Sequence, residues 1–284
     1  MASLYRTPQG RERVRDWCTS RLEAWATPHE TTSISTSVGP VHLVSAGSGP
    51  LTLVYLPGTS FNAATGLPLL TAMAARCRVL AVDLPGQPGL STANRPRGGD
   101  TDTGWLSEVL AAVGRGPVVL VGHSRGAHVA LCTDPSSVTG AVLVDPAGLG
   151  RVAVTGRLLR VALPWLLRPT QRRSRAVLRL MSASGHDPAD DQVEWMTLVA
   201  RHTRTTGAPG PAPRWATEAW RPASTSVITG AEDCFFPPHR LDPLVRERLG
   251  AELVVVPGVG HLSVDEAPTV LAGHIVAAAG SMVV

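Results

Sequence analysis

Lysine is absent from the 284 residues, and all 26 basic residues are arginine. With the abundance of alanine, glycine, proline and valine, this reads as a GC-rich coding bias rather than a functional device. No run of about 18 apolar residues occurs, so no membrane-spanning helix is expected. The first residues, Met1-Ala2-Ser3-Leu4-Tyr5-Arg6, have no apolar stretch behind them. No signal peptide is therefore expected, and a cytoplasmic location is. Four cysteines (Cys18, Cys77, Cys132, Cys234) are scattered without a C-x-x-C spacing. Reduced thiols are expected rather than disulfides. No metal-ligand spacing is visible, and no metal or organic cofactor is called for. Internal repeats and low-complexity tracts are missing too. A net charge of +4 with no nucleic-acid-binding motif beside it argues against a nucleic-acid partner.

The chain is 44% hydrophobic, enough for one large core, and one domain with an insertion fits the length better than two equal domains. Short apolar runs read as strands at 41–46, 51–56, 78–83, 117–121, 140–145, 225–230 and 252–256, with 31–37 forming a leading hairpin with the first of these. Helical patterns fall at 10–26, 67–77, 102–113, after 124, near 241–249 and at 268–279. Alternating strands and helices predict a mostly parallel sheet of eight strands covered on both faces. The alternation stops between Gly148 and about Trp220, where no strand is convincing. A helical cap over residues 148–222 is expected after the sixth strand, between core segments 1–147 and 223–284. The segment Gly207–Pro213 reads as a stiff loop inside it.

The run Val118-Val119-Leu120-Val121 leads into Gly122-His123-Ser124-Arg125-Gly126 and then a helix. Glycines two places before and after a serine allow a sharp reversal from strand to helix, leaving the hydroxyl exposed at a helix N-terminus. Serine is a poor nucleophile near neutral pH and needs a base, which in turn needs an orienting acid. A histidine, His261, follows the final strand, and a carboxylate, Asp233, follows the strand before it. Glu232 and Asp145 compete with Asp233 for the acid's place, and Asp233 is favoured over Asp145, the alternative acid. His123 is expected to pack against strands, and Asp83 to stabilise its own loop.

Four blocks together resemble the capped alpha/beta-hydrolase superfamily, of the carboxylesterase and thioesterase kind, over nearly the whole chain. They are Asp83-Leu84-Pro85-Gly86-Gln87-Pro88-Gly89-Leu90-Ser91, the Gly122–Gly126 elbow, Gly230-Ala231-Glu232-Asp233 with Pro237, and Gly260-His261 with Glu266-Ala267-Pro268. The resemblance implies Ser124 as nucleophile, His261 as general base and later acid, and Asp233 as the residue that orients it. A serine at the elbow sets the chain apart from the dehalogenases and epoxide hydrolases of this fold, which carry a carboxylate there. The resemblance also implies an oxyanion hole from the backbone amides of Arg125 and Thr59. Family members usually carry His-Gly-x at the second loop, whereas this chain has Pro57-Gly58-Thr59. The implied reaction is hydrolysis of a carboxylic ester or thioester with an apolar portion. Other chemistry on the same triad (perhydrolysis, C–C hydrolysis, a lyase or cyclase step) and a low-turnover binding role are the alternatives.

Charge is unevenly spread. Residues 147–222 hold 12 arginines against 5 acids, while the remainder holds 14 against 17. Between Gly150 and Leu180, eight arginines alternate with leucines, and there is no acid. Three readings stand: an apolar substrate roof with a solvated outer face, a docking surface for an acidic carrier protein, or a membrane-surface helix. The first is favoured. It makes Ser60, Trp165, Leu166, Trp195, Phe235 and Phe236 candidate substrate-binding residues.

Overall fold

The computed structural model describes residues 4–283 apart from Arg115, Thr205, Thr206 and Pro222. The first three residues of the N-terminus and the expected cap boundary at Pro222 lie outside the described residues. Helix α1 (Pro8–Glu23) starts at Thr7, whose side chain accepts a hydrogen bond from the amide of Gly10. Strands β1 (His29–Thr36) and β2 (Gly39–Ala46) form the leading antiparallel hairpin. There follow β3 (Thr52–Leu56), α2 (Leu67–Ala74), β4 (Arg78–Val82), α3 (Gly104–Val113), β5 (Val118–His123), α4 (Arg125–Cys132) and β6 (Gly140–Val144). Four helices come next: α5 (Gly156–Leu167), α6 (Gln171–Met181), α7 (Asp190–His202) and α8 (Arg214–Trp220). The chain closes with β7 (Thr225–Gly230), α9 (Pro238–Leu249), β8 (Leu253–Val256), α10 (Ser263–Glu266) and α11 (Pro268–Ser281).

The eight strands form one sheet in the order β1-β2-β4-β3-β5-β6-β7-β8. β2 runs antiparallel to both β1 and β4, and every other pairing is parallel. A buried parallel strand points alternate side chains into two different layers. In β3, Leu53 and Tyr55 enter one core, while Val54 and Leu56 enter the other. The first core holds residues of α1, α2 and α11, and the second those of α3, α4 and α9. This is the doubly covered sheet that the alternating pattern predicts.

The helical stretch after β6 is not uniform. Trp195 and Val177, on α7 and α6, belong to the first core and tie these helices down beside α1. α8 packs instead with α4 and α9 in the second core; Trp220 is fully buried, and its indole donates to the carbonyl of Leu131. Helical patterning alone does not say which core a helix joins.

Both elbow glycines are required by close approach. A Cβ on Gly122 would sit 2.5 Å from the Cα of Ala127, and one on Gly126 would overlap the carbonyl oxygen of Leu56. Backbone atoms of a central strand have no room to yield. Gly126→Ala should therefore destabilise the fold by about 3 kcal/mol or more, lowering the melting temperature by roughly 6–12 °C. A thermal melt with an unchanged midpoint would show that β3 and α4 are not packed this closely.

Candidate active site

Ser124 sits between the end of β5 and the start of α4 with φ 49° and ψ −109°. A positive φ is costly for a residue with a Cβ, and is held only where the surroundings dictate it. Here the Ser124 amide donates to the carbonyl of Val144, and its own carbonyl accepts from Ala127 and Ala147. These bonds fix the turn and push the hydroxyl out beyond the carboxyl edge of the sheet, the usual ligand edge of open α/β sheets.

His261 follows β8, and its amide donates to the carbonyl of Met181 at 2.7 Å. Its ring lies between two partners. Nδ1 is 2.9 Å from Oδ2 of Asp233, and Nε2 is 3.1 Å from Oγ of Ser124. An ionised carboxylate can only accept, so Nδ1 carries the proton; on the neutral ring, Nε2 is then left as the acceptor for the serine hydroxyl. Asp233 follows β7, and its other oxygen accepts from the amides of Phe235 (2.7 Å) and Phe236 (2.9 Å). Serine, histidine and aspartate are all buried.

Burial works against the imidazolium form of His261. The Asp233 charge and hydrogen bond outweigh it, so His261 titrates above the ordinary histidine value. For Asp233, burial alone would raise the value. His261 and the two backbone donors outweigh this, and the carboxyl titrates below its ordinary range. Cys234, next in the chain, is pushed up to about 12 by burial and the neighbouring Asp233 charge, so it stays a thiol.

Asp145 lies apart from this line. It is fully buried at the end of β6, with φ 44°. One oxygen accepts from the Gly230 amide at 2.8 Å and the Thr229 hydroxyl at 3.1 Å, and the other accepts from the Ser263 hydroxyl. Its nearest histidine is His123, at 3.8 Å, rather than His261. Burial and the Asp233 charge push its carboxyl up to about 7. His123 donates from Nε2 to the carbonyl of His261 at 3.0 Å. Burial, together with the adjacent His261, pushes it down to about 3, so it is neutral. Both groups brace the turns that carry the serine and the histidine. Glu232 points elsewhere, accepting from the amide and hydroxyl of Ser184. Asp83 accepts from the amides of Ala63 and Leu90 and so ties its own loop together.

The loop after β3 approaches the serine closely. A Cβ on Gly58 would lie 2.9 Å from Nδ1 of His123, so glycine is needed here. Ser60 has φ 65°, and its amide donates to Oε1 of Gln87. The Thr59 amide makes no hydrogen bond among the described residues. The Arg125 side chain is buried; its Nε donates to the Thr59 hydroxyl at 3.1 Å, and its Nη2 donates to the carbonyl of Gly207. It therefore joins the β3 loop to the loop before α8.

A cavity of about 300 Å³ opens onto Ser124 and His261. Thr59, Ser60, Trp165, Leu166, Phe235 and Phe236 all border it. Trp195 does not. It is fully buried, tilted against Trp17 at 4.7 Å, with its indole donating to the carbonyl of Ser60. It supports the wall from behind, as an aromatic at helical spacing on a core-packed helix tends to do. Met181 and Gly207–Pro209 also border the cavity and were not expected there. The proline-glycine character of the second was the one available signal.

Among the described residues, no group of three or more His, Cys, Asp or Glu side chains is arranged to hold a metal. None of the four cysteines forms a disulfide. No helix of the described residues is long and apolar enough to cross a membrane.

The model of the alpha/beta hydrolase family matches residues 53–274, spanning β3 to α11. The chain belongs to the alpha/beta hydrolase family. No curated protein matches the sequence. Among solved structures, naproxen esterase (carboxylesterase NP) from Bacillus subtilis is similar, with a TM-score of 0.80 at 18% identity, covering 95% of this chain and 98% of that one. Carboxylesterase CesB from the same organism gives 0.76 at 18%, with the same coverage. A thermophilic esterase from Thermogutta terrifontis gives 0.64 at 18%, covering 90% and 100%. At such identity the likeness is one of fold.

Proposed function

We propose that this alpha/beta hydrolase is a serine esterase that cleaves carboxylic esters or thioesters with an apolar portion. One observation carries the reading: a continuous hydrogen-bonded line from Asp233 through His261 to Ser124, ending in a small cavity with largely apolar walls. The esterase names of the similar folds agree with it.

Ser124 Oγ attacks the carbonyl carbon while its proton passes to Nε2 of His261. The electron pair of the broken C=O π bond moves onto oxygen, and the amides of Thr59 and Arg125 receive that charge. Collapse of the tetrahedral intermediate expels the alcohol or thiol, which takes the proton from His261. The acyl group is left on Ser124. Water then attacks the acyl carbon, giving its proton to His261, and the acid departs as Oγ recovers that proton. Asp233 stays ionised throughout and stabilises the imidazolium that forms twice per cycle. Residues 148–222 act as the cap of a core made by 1–147 and 223–284, with α8 as the end of the cap that joins the core.

The base must be neutral to accept a proton, and its histidine titrates above the usual value of about 6.5. The kcat/KM of p-nitrophenyl ester hydrolysis should therefore rise with pH, along an acidic limb whose midpoint lies above that value. At about 300 Å³, the cavity is at the small end for ligand sites, so short and medium acyl chains should be preferred to long ones. A pH series over acetate to dodecanoate esters checks both points. No turnover of any ester in that series would overturn the reading.

A further inference from the structure

α5 is unusual among the helices of the described residues. It is twelve residues long and rich in leucine, yet none of its residues is buried. Its inner side, Leu158, Ala162 and Trp165, borders the cavity. Its outer side is exposed, yet it carries leucines as well as arginines. Leu159 is 46% exposed, Leu163 53%, Leu166 39% and Leu167 85%. Spacings of four, three and one place these four on one stripe. Val154, 65% exposed, precedes the helix. A soluble surface ordinarily scatters such residues singly, and five within fourteen positions form a patch that calls for a partner.

The charge around this stripe is of one sign. No acidic residue occurs between Asp145 and Asp187. Arg173, Arg175 and Arg179 are held by carbonyls and by Asp187 and Asp190. Arg157, Arg160 and Arg168 are exposed and make no ion pair among the described residues. Arg160 lies one turn before Leu163, and Arg168 ends the helix. The missing partner must then be apolar where the leucines are and anionic around them. We infer that α5 seats the protein on an anionic lipid surface, with Leu159, Leu163 and Leu167 entering the headgroup boundary and the arginines meeting the lipid charges. Exposed leucines edged by exposed arginines match the anionic headgroup layer, where charge and apolar boundary lie side by side. Leu166 belongs to both the stripe and the cavity wall, so it links the outer face to the cavity at Ser124. Seating does not depend on the proposed esterase activity. Delivery of a membrane-dissolved ester through this opening does rest on it.

The test is co-sedimentation of the full chain with vesicles. The Ser124→Ala protein is used so that no lipid is consumed. Vesicles of phosphatidylcholine alone are compared with an equimolar mixture of phosphatidylcholine and phosphatidylglycerol. Binding to the mixed vesicles should be at least about tenfold tighter, and should weaken as salt rises from about 0.05 to 0.5 M. Leu163→Gln with Leu167→Gln, and separately Arg160→Gln with Arg168→Gln, should each lower affinity about tenfold. In the Ser124 protein, both pairs should leave hydrolysis of a water-soluble p-nitrophenyl ester within about twofold, since none of the four residues borders the cavity. Failure to sediment with the mixed vesicles overturns the inference, as does equal sedimentation by the leucine pair. A dimer seen in the absence of vesicles and dissolved by the leucine pair overturns it too, because the face would then belong to a second copy. Vesicle binding by a protein that turns over no ester leaves the seating standing and removes only the esterase reading.

Discussion

Ser124→Ala should lower kcat on p-nitrophenyl esters by about a millionfold, leaving only what oriented binding supplies. At about 1.4 kcal/mol per decade, this corresponds to roughly 8 kcal/mol of transition-state stabilisation. The size follows from the absence of a substitute. The other polar side chains at the cavity are Thr59, Ser60 and His123, and none of them is hydrogen-bonded to the His261 ring, whose partners are Asp233 and Ser124. Stability should barely change. The variant loses one hydrogen bond from Oγ to His261, worth about 1 kcal/mol, so the melting temperature should stay within about 2–4 °C. A loss below a hundredfold in a folded variant would mean that another group attacks the carbonyl.

Asp233→Asn should cost about 10³- to 10⁴-fold in kcat. An amide cannot both accept from the Phe235 and Phe236 amides and stabilise a positive His261. It also turns an N–H toward the imidazole and favours the wrong tautomer. The acidic limb of kcat/KM should move to lower pH, because the charge that raises the His261 value is gone. Asp145→Asn makes the sharper comparison. Burial and the nearby Asp233 charge push the Asp145 carboxyl well above its ordinary range and favour its neutral form, which asparagine resembles. Its φ of 44° also suits asparagine. The Thr229 and Gly230 donors keep an oxygen to bond, and the Ser263 hydroxyl can turn to accept. Activity should then fall less than about tenfold, and stability by about 1–2 kcal/mol. Paired kinetics and melts of the two variants check this, and a larger kinetic loss at Asp145 would reverse the assignment of the acid.

What the sequence made legible has a physical pattern. Strands that bury both faces must be apolar throughout, so β3, β5 and β6 stood out, and the turns after them had to carry the polar groups. Gly122 and Gly126 marked the elbow because the backbone approach there tolerates no Cβ. The positions after β8 and β7 are what point to His261 and Asp233 in the sequence. Long-range packing was not legible. Trp195 is held by the Ser60 carbonyl, 135 positions away, and no local pattern separates that from a place in the cavity wall. The buried side chain of Arg125 is another such case. Its bonds to Thr59 and Gly207 depend on how the insertion folds back over the sheet. The outer leucines of α5 fit a roof as well as an outer stripe, because leucine recurs on both sides of the helix and periodicity alone does not say which side faces in.

The central claim is that Ser124, driven by His261, attacks a carbonyl-like centre. Labelling with a fluorophosphonate probe, followed by peptide mass mapping, tests it most directly. The intact protein should gain one adduct, on the peptide that contains Ser124. Labelling should disappear in Ser124→Ala and slow by orders of magnitude in His261→Ala. No labelling of the wild-type protein, or equal labelling of Ser124→Ala, would contradict it.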